Sequence, residues 1–164
     1  MVENNIWILF SLFFDPTLWL LVSALILIIH YLHSKFKKRK FEKFIILFFI
    51  SLVLSAATSE SLKLIFSIPR PCVPCTNNQI NCNPYCPTTN SFPSGHTTIA
   101  FTTFTSIYLI YKKRKFLAFF IIPFLTGVSR LVLGVHTVLD VLVGSLIGII
   151  IPIIVWEIEK NFKK

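Results

Sequence analysis

Acidic residues are scarce in this chain: Asp and Glu number seven, against sixteen Lys and Arg. They are also scattered, at positions 3, 15, 42, 60, 140, 157 and 159. No cluster of carboxylates is therefore expected to build a magnesium or zinc cage at a catalytic centre. Charge of both signs is sparse, at 14% of residues, whereas 54% are hydrophobic. Several apolar runs are long enough to span a bilayer, and that excludes an ordinary water-soluble domain. The N-terminus has no positive cluster before its apolar run and no small-residue cleavage site after it, so a cleaved signal peptide is not expected. Internal repeats are absent. Cysteine is missing everywhere except one short stretch, at Cys72, Cys75, Cys82 and Cys86.

What is present is a set of greasy runs separated by basic turns. Residues 4–14 form an apolar segment too short to span, and Asp15-Pro16 favours a break and a fresh helix start. An interfacial helix is expected there, with Trp7 near the headgroups. Spans are expected from about Pro16 to His33, Phe44 to Phe66, Ser94 to Tyr111, Phe116 to Gly134 and Thr137 to Trp156. The fold class is thus all-α, an integral membrane bundle of about five transmembrane helices in one domain over residues 1–164. Pro69 biases Ile68 away from helix, which sets the end of the second span near Ser67. Residues 68–93 make the one long loop, rich in Pro, Asn, Thr and Cys, and loops of that length are usually functional.

The net charge of +9 would point to nucleic acid in a soluble protein. Here the cations lie beside spans, so no nucleic-acid partner is expected and topology explains them better. With the N-terminus outside, the two basic turns and the tail fall inside, carrying thirteen of the sixteen Lys and Arg. The three left on the outer side are Lys63, Arg70 and Arg130. His30 and His33 read as polar residues flanking the inner loop.

Those three cations sit in polar islands at the outer ends of spans. The first island is Lys63 to Pro71, with Lys63 and Arg70. The second is Pro93-Ser94-Gly95-His96. The third is Ser129-Arg130, then His136 and Asp140. Ionisable groups beside apolar runs are costly to keep unless something uses them. Three cations near low dielectric call for an anion, and the arginine fork suits phosphate oxygens. Ser94 at a helix start, with Gly95, offers backbone N–H groups to the same anion, although Ser-Gly-His alone is an ordinary cap. His96 in that first turn can give a proton to a leaving oxygen. His136 and Asp140, spaced i and i+4, are expected to share the first turns of the fifth span, where the carboxylate would fix the imidazole's tautomer and leave its other nitrogen as nucleophile or base. Together these groups suffice for phosphoryl transfer through a phosphohistidine and its hydrolysis by water.

Lys-x6-Arg-Pro, Pro-Ser-Gly-His and Ser-Arg-x5-His-x3-Asp resemble the three-part signature of the type 2 phosphatidic acid phosphatase family, membrane lipid phosphatases related to vanadium haloperoxidases. The resemblance covers Lys63 to Asp140 without a substitution. It implies a helical bundle with a metal-independent site and no cofactor. It implies His136 as nucleophile, Asp140 as its partner and His96 as general acid. It implies Lys63, Arg70, Ser94, Gly95 and Arg130 as phosphate ligands. The implied partner is a lipid phosphate within a membrane; a polyisoprenyl diphosphate is favoured, with phosphatidate or phosphatidylglycerol phosphate as alternatives. A polybasic protein that merely binds acidic lipids is the non-enzymatic alternative. The four cysteines fall outside the signature. Disulfides are favoured on an outward loop, and a zinc knot is the other reading.

Overall fold

The computed structural model describes residues 7–9, 12–34, 41–75 and 82–161. Most of the inner basic turn, part of the N-terminal apolar segment and the last two lysines fall outside the described residues. So do the side chains of His30 and His33.

From Pro16 onward the described residues form five α-helices: α1 (Pro16–Ser34), α2 (Phe41–Phe66), α3 (Gly95–Tyr111), α4 (Ile121–Val132) and α5 (Val138–Asn161). No β-strand occurs among the described residues, only an isolated bridge between Pro74 and Asn83. The stretches Phe44–Phe66 and Val138–Asn161 are long and apolar enough to cross a membrane. Only 28% of each window is buried inside the protein, which separates them from core helices of a soluble domain. Their uncovered faces carry Leu64, Leu139, Leu142 and Leu146, all more than half exposed. Shorter apolar helices cover Pro16–Ile26 and Phe116–Val132.

Helix ends fall within three residues of the expected boundaries, except that α5 runs on to Asn161, past the expected Trp156, and that the fourth element is broken. There the α-helix covers twelve residues and is preceded by a 3₁₀ turn, Arg114–Phe120. Pro123 explains the break. It has no N–H to give the Phe119 carbonyl, and its ring crowds that carbonyl, so an α-helix can start just before it but not run through from upstream. The second helix ends as Pro69 requires. Ser67 takes a left-handed φ of 48°, and its N–H bonds the Lys63 carbonyl at 3.0 Å. The N-terminal segment is anchored to the bundle at its described end. Phe14 is fully buried, 6.1 Å from the Phe104 ring on α3 and stacked on Trp19 at 5.7 Å.

The centre of the bundle is the crossing of α3 over α5. Gly144 and Gly148, one turn apart, let the backbones meet. A Cβ at Gly148 would lie 2.5 Å from the Thr98 carbonyl oxygen, and one at Gly144 would lie 2.7 Å from that of Ser94. Thr98, Thr102 and Ser106 on α3 each satisfy their hydroxyl by donating to the carbonyl four residues back.

The crossing yields a direct test. Gly148→Ala should lower the melting temperature of the detergent-solubilised protein, reflecting about 1–3 kcal/mol of overpacking. Leu146→Ala, on the uncovered face, should leave it nearly unchanged. Equal melting of Gly148→Ala and wild type would mean that the close approach is absent.

Candidate active site

The three polar islands meet at one end of the bundle. Lys63 comes from the C-terminal turn of α2, Ser94 to His96 from the start of α3, Arg130 from the last turn of α4, and Asp140 from the first turn of α5. The second and third islands are joined by backbone: the Ser94 amide donates to the Asp140 carbonyl at 3.0 Å. The long loop is sewn to both sides. Asn90 Nδ2 donates to the Lys63 carbonyl at 3.0 Å, Ser91 N to that of Ile68 at 2.8 Å, and Asn83 Nδ2 to that of Leu133 at 2.8 Å.

His136 lies in the turn ahead of α5, not on its first turn as its spacing from Asp140 had suggested. A capping box sets the geometry instead. Thr137 precedes the helix, its N–H donates to Asp140 Oδ2 at 2.7 Å, and its hydroxyl accepts from the Asp140 N–H at 3.3 Å. The same carboxylate oxygen stands 3.4 Å from His136 Nδ1. On the other side of the ring, Arg70 Nη1 lies 3.0 Å from Nε2. Arginine can only donate, so Nε2 carries a lone pair and Nδ1 carries the proton, facing Asp140.

The imidazole is almost wholly buried. Burial pushes its pKa down from 6.5 to about 4, and Arg70 and Arg130 push the same way, with Asp140 opposing through its hydrogen bond and charge. The ring is therefore neutral at pH 7. Since the unfolded chain binds this proton at a higher pH than the folded one, stability contributed by the site is full above about 6.5 and declines as pH falls toward 4.

Arg70 is held by carbonyls. Besides His136 it donates to Thr89 O at 2.7 Å, Val135 O at 3.0 Å, Asn90 O at 3.3 Å and Thr89 Oγ1 at 3.1 Å. Two disulfides brace this arrangement: Cys72–Cys86 joins positions close to Arg70 and Thr89, and Cys75–Cys82 closes the loop beyond it. No cysteine is left free, so the four thiols form no zinc knot. Among the described residues no group of three His, Cys, Asp or Glu is placed to hold a metal ion.

Lys63 is mostly buried, with its ammonium 2.5 Å from the exposed Glu60 carboxylate. A Cβ on Gly95 would lie 3.5 Å from Lys63 Nζ, so glycine leaves the space beside that charge open. Arg130 is buried, within electrostatic reach of Arg70. Ser94 stands at the N-cap position of α3 but makes no capping bond; its hydroxyl meets Thr97 Oγ1 at 2.9 Å. His96 feels the charges of Lys63, Arg70 and Arg130. All eight site residues expected from sequence thus gather at one end.

Two further residues belong to the cluster and were not legible. Ser91 is fully buried, and its hydroxyl donates to Asp140 Oδ2 at 2.5 Å while its oxygen lies 3.4 Å from His136 Nδ1. It stands two residues ahead of Pro93, and that proximity was its only signal. Asp15 places Oδ2 3.7 Å from His96 Nε2, across 81 residues of chain.

The burial of His136 can be checked by titrating its ring proton resonances. A midpoint near 4 is expected, and one near 6.5 would mean that water reaches the ring.

The sequence and the fold have counterparts among known proteins. A stretch of 72 residues is 40% identical to the bacitracin transport permease protein BcrC of Bacillus licheniformis, covering 43% of this chain and 35% of that protein, so the chain spans about a third of that relative. The undecaprenyl-diphosphatase of Sulfolobus acidocaldarius is 31% identical over 158 residues, 96% of this chain and 71% of that protein. The crystal structure of Aquifex aeolicus LpxE superimposes with a TM-score of 0.70 at 28% identity, covering 95% of this chain and 86% of that one. The PAP2 superfamily model matches residues 44–164, three of the five helices whole and all three islands, and the chain belongs to that superfamily.

Proposed function

We propose that this protein is a membrane lipid phosphatase, a phosphoric ester hydrolase working through a phosphohistidine. The observation that carries the reading is the environment of His136. One ring nitrogen faces a buried carboxylate, and the other presents a lone pair to a guanidinium where an anion would dock. In the proposed reaction Lys63, Arg70 and Arg130 neutralise the phosphate oxygens, with the Ser94 hydroxyl and the Gly95 N–H group at the start of α3. Arg70 moves its Nη1 from Nε2 to a phosphate oxygen as substrate enters. Nε2 then attacks phosphorus, and His96 gives its proton to the leaving oxygen as the old P–O bond breaks. Asp140 stabilises the charge that develops on the ring. In the second half His96 takes a proton from water, whose oxygen displaces His136 and releases phosphate.

Lack of a metal requirement follows from the donor set. The acids near the site are Asp140, Asp15 and Glu60, and each is engaged by a cation, a histidine or a helix start. For the substrate, likeness to an undecaprenyl-diphosphatase over nearly the whole chain supports a polyisoprenyl diphosphate. Phosphatidate and phosphatidylglycerol phosphate are the alternatives. The five helices all cross the bilayer in this reading, as one domain. The N-terminus and the site face outward and the basic tail faces the cytoplasm, in line with the charge of the inner turns. A C-terminal tag should then resist protease on intact cells and be cut after permeabilisation; cutting on intact cells would overturn the orientation.

Phosphate release by the purified protein in detergent, with excess chelator, tests the reaction. One of the three lipids should be turned over. His136→Ala should lose at least about a thousandfold in kcat, as expected when a nucleophile is removed. Lipid binding that survives in a mutant without effect on release, or release that needs a divalent ion, would overturn the mechanism.

A further inference from the structure

Asp15 lies outside the residues that match the superfamily model, which begin at 44. It is nevertheless part of the site. Its Oδ1 starts α1 by accepting the N–H groups of Thr17 at 2.9 Å and Leu18 at 3.1 Å. That leaves Oδ2 to face His96 Nε2 at 3.7 Å, an ion-pair separation and too long for a hydrogen bond.

The turn carrying Asp15 is pinned to the bundle. Phe14 is fully buried between Trp19 and Phe104. Trp19 Nε1 donates to the Phe13 carbonyl at 2.6 Å, and Asp15 N to the Leu12 carbonyl at 3.2 Å. Pro16 Cγ would touch a Cβ on Gly95 at 3.4 Å, so the turn rests on the start of α3 itself.

The charges around His96 give this contact its meaning. Lys63 from α2, Arg70 from the loop, Arg130 from α4 and His136 from the turn ahead of α5 all bear on it. Apart from Asp15, these neighbours are cationic or neutral. An imidazolium acting as acid among them needs a negative partner before the substrate arrives and after the phosphate has left.

We propose that Asp15 is a positioning residue for His96, holding the ring oriented and its proton in place for transfer to the leaving oxygen. The proposal rests on the phosphohistidine reading above. As the P–O bond breaks, the His96 proton goes to the leaving oxygen and the ring becomes neutral. As water attacks the phosphohistidine, the ring recovers that proton. Asp15 keeps its charge throughout and touches neither phosphorus nor the leaving group.

Asp15→Asn isolates the charge. Asparagine is an equally good helix start, so α1 should keep its cap and the melting temperature should stay within a degree or two of wild type. Its amide would donate toward Nε2 and favour a ring without its second proton. The readout is sensitivity to the leaving group, measured in mixed micelles with p-nitrophenyl phosphate and a long-chain alkyl phosphate beside the best lipid substrate. Nitrophenolate departs without a proton, whereas an alkoxide needs one. Asp15→Asn should lose about tenfold or more in kcat on the alkyl ester, a fraction of a general acid's usual contribution. Loss on the nitrophenyl ester should stay below about threefold. KM and the inhibition constant for vanadate should not rise, because a negative charge has been removed beside an anion site.

Equal losses on both esters, with or without a fall in melting temperature, would reduce Asp15 to a structural cap and overturn the proposal. A rise in kcat would overturn it too, by making Asp15 a competitor of phosphate. Wild-type protein that releases no phosphate from any of these compounds would defeat the phosphatase reading itself, and that result differs from either of the others.

Discussion

The backbone bond from the Ser94 amide to the Asp140 carbonyl, 3.0 Å long, is the constraint on which the site depends. It joins the start of α3 to the start of α5. Such a bond exists only if the two helices approach to backbone contact, and Gly144 beneath Ser94 and Gly148 beneath Thr98 permit that approach. With the crossing fixed, Ser91 and Asp140 come within hydrogen-bond distance, and the turn ahead of α5 carries His136 between Asp140 and Arg70. A change of a few tenths of an ångström at the glycines would be felt at the imidazole, because packed interiors transmit displacement instead of absorbing it.

Electrostatics then works with very few carboxylates. Arg70 is steadied mainly by carbonyl oxygens, which orient a guanidinium without cancelling its charge. Had the loop supplied an aspartate instead, Arg70 would hold its anion already and would have little left for a phosphate. The Cys72–Cys86 bridge keeps those carbonyls in place on a loop whose own backbone makes few regular bonds. Scarcity of acid, visible in composition, is thus part of how the site stays open to an anion.

Much of this was legible in sequence because the information was local. Pro69 ends α2, Pro93 to His96 open α3, and the spacing of His136 and Asp140 sets them together. The charge pattern of the turns groups Lys63, Arg70 and Arg130 on one side. Pro123 is equally local, but the apolar run continues across it, so sequence points to one long span where the structure has a 3₁₀ turn and a short helix. The pairing of His136 with Asp140 was right in its partners and wrong in its cause, since a capping box brings them together and not a shared helix face. Ser91 and Asp15 were not legible in their roles. Each looks like an ordinary loop or cap residue, and only contacts spanning 45 to 81 positions in the chain give them another function.

The N-terminal turn changes how the superfamily match should be understood for this chain. The matched residues, 44–164, contain the signature, yet the carboxylate that faces His96, that of Asp15, lies outside them. That negative charge comes from α1, whose first residues are held by Phe14 and Trp19 and not by any part of the signature. The helix that thickens the bundle therefore also brings a carboxylate to His96 at its mouth. The same aspartate oxygen pair starts α1 and faces the histidine, so the helix cannot shift along its axis without moving the charge. Closure of the bundle and readiness of the acid are coupled through one side chain.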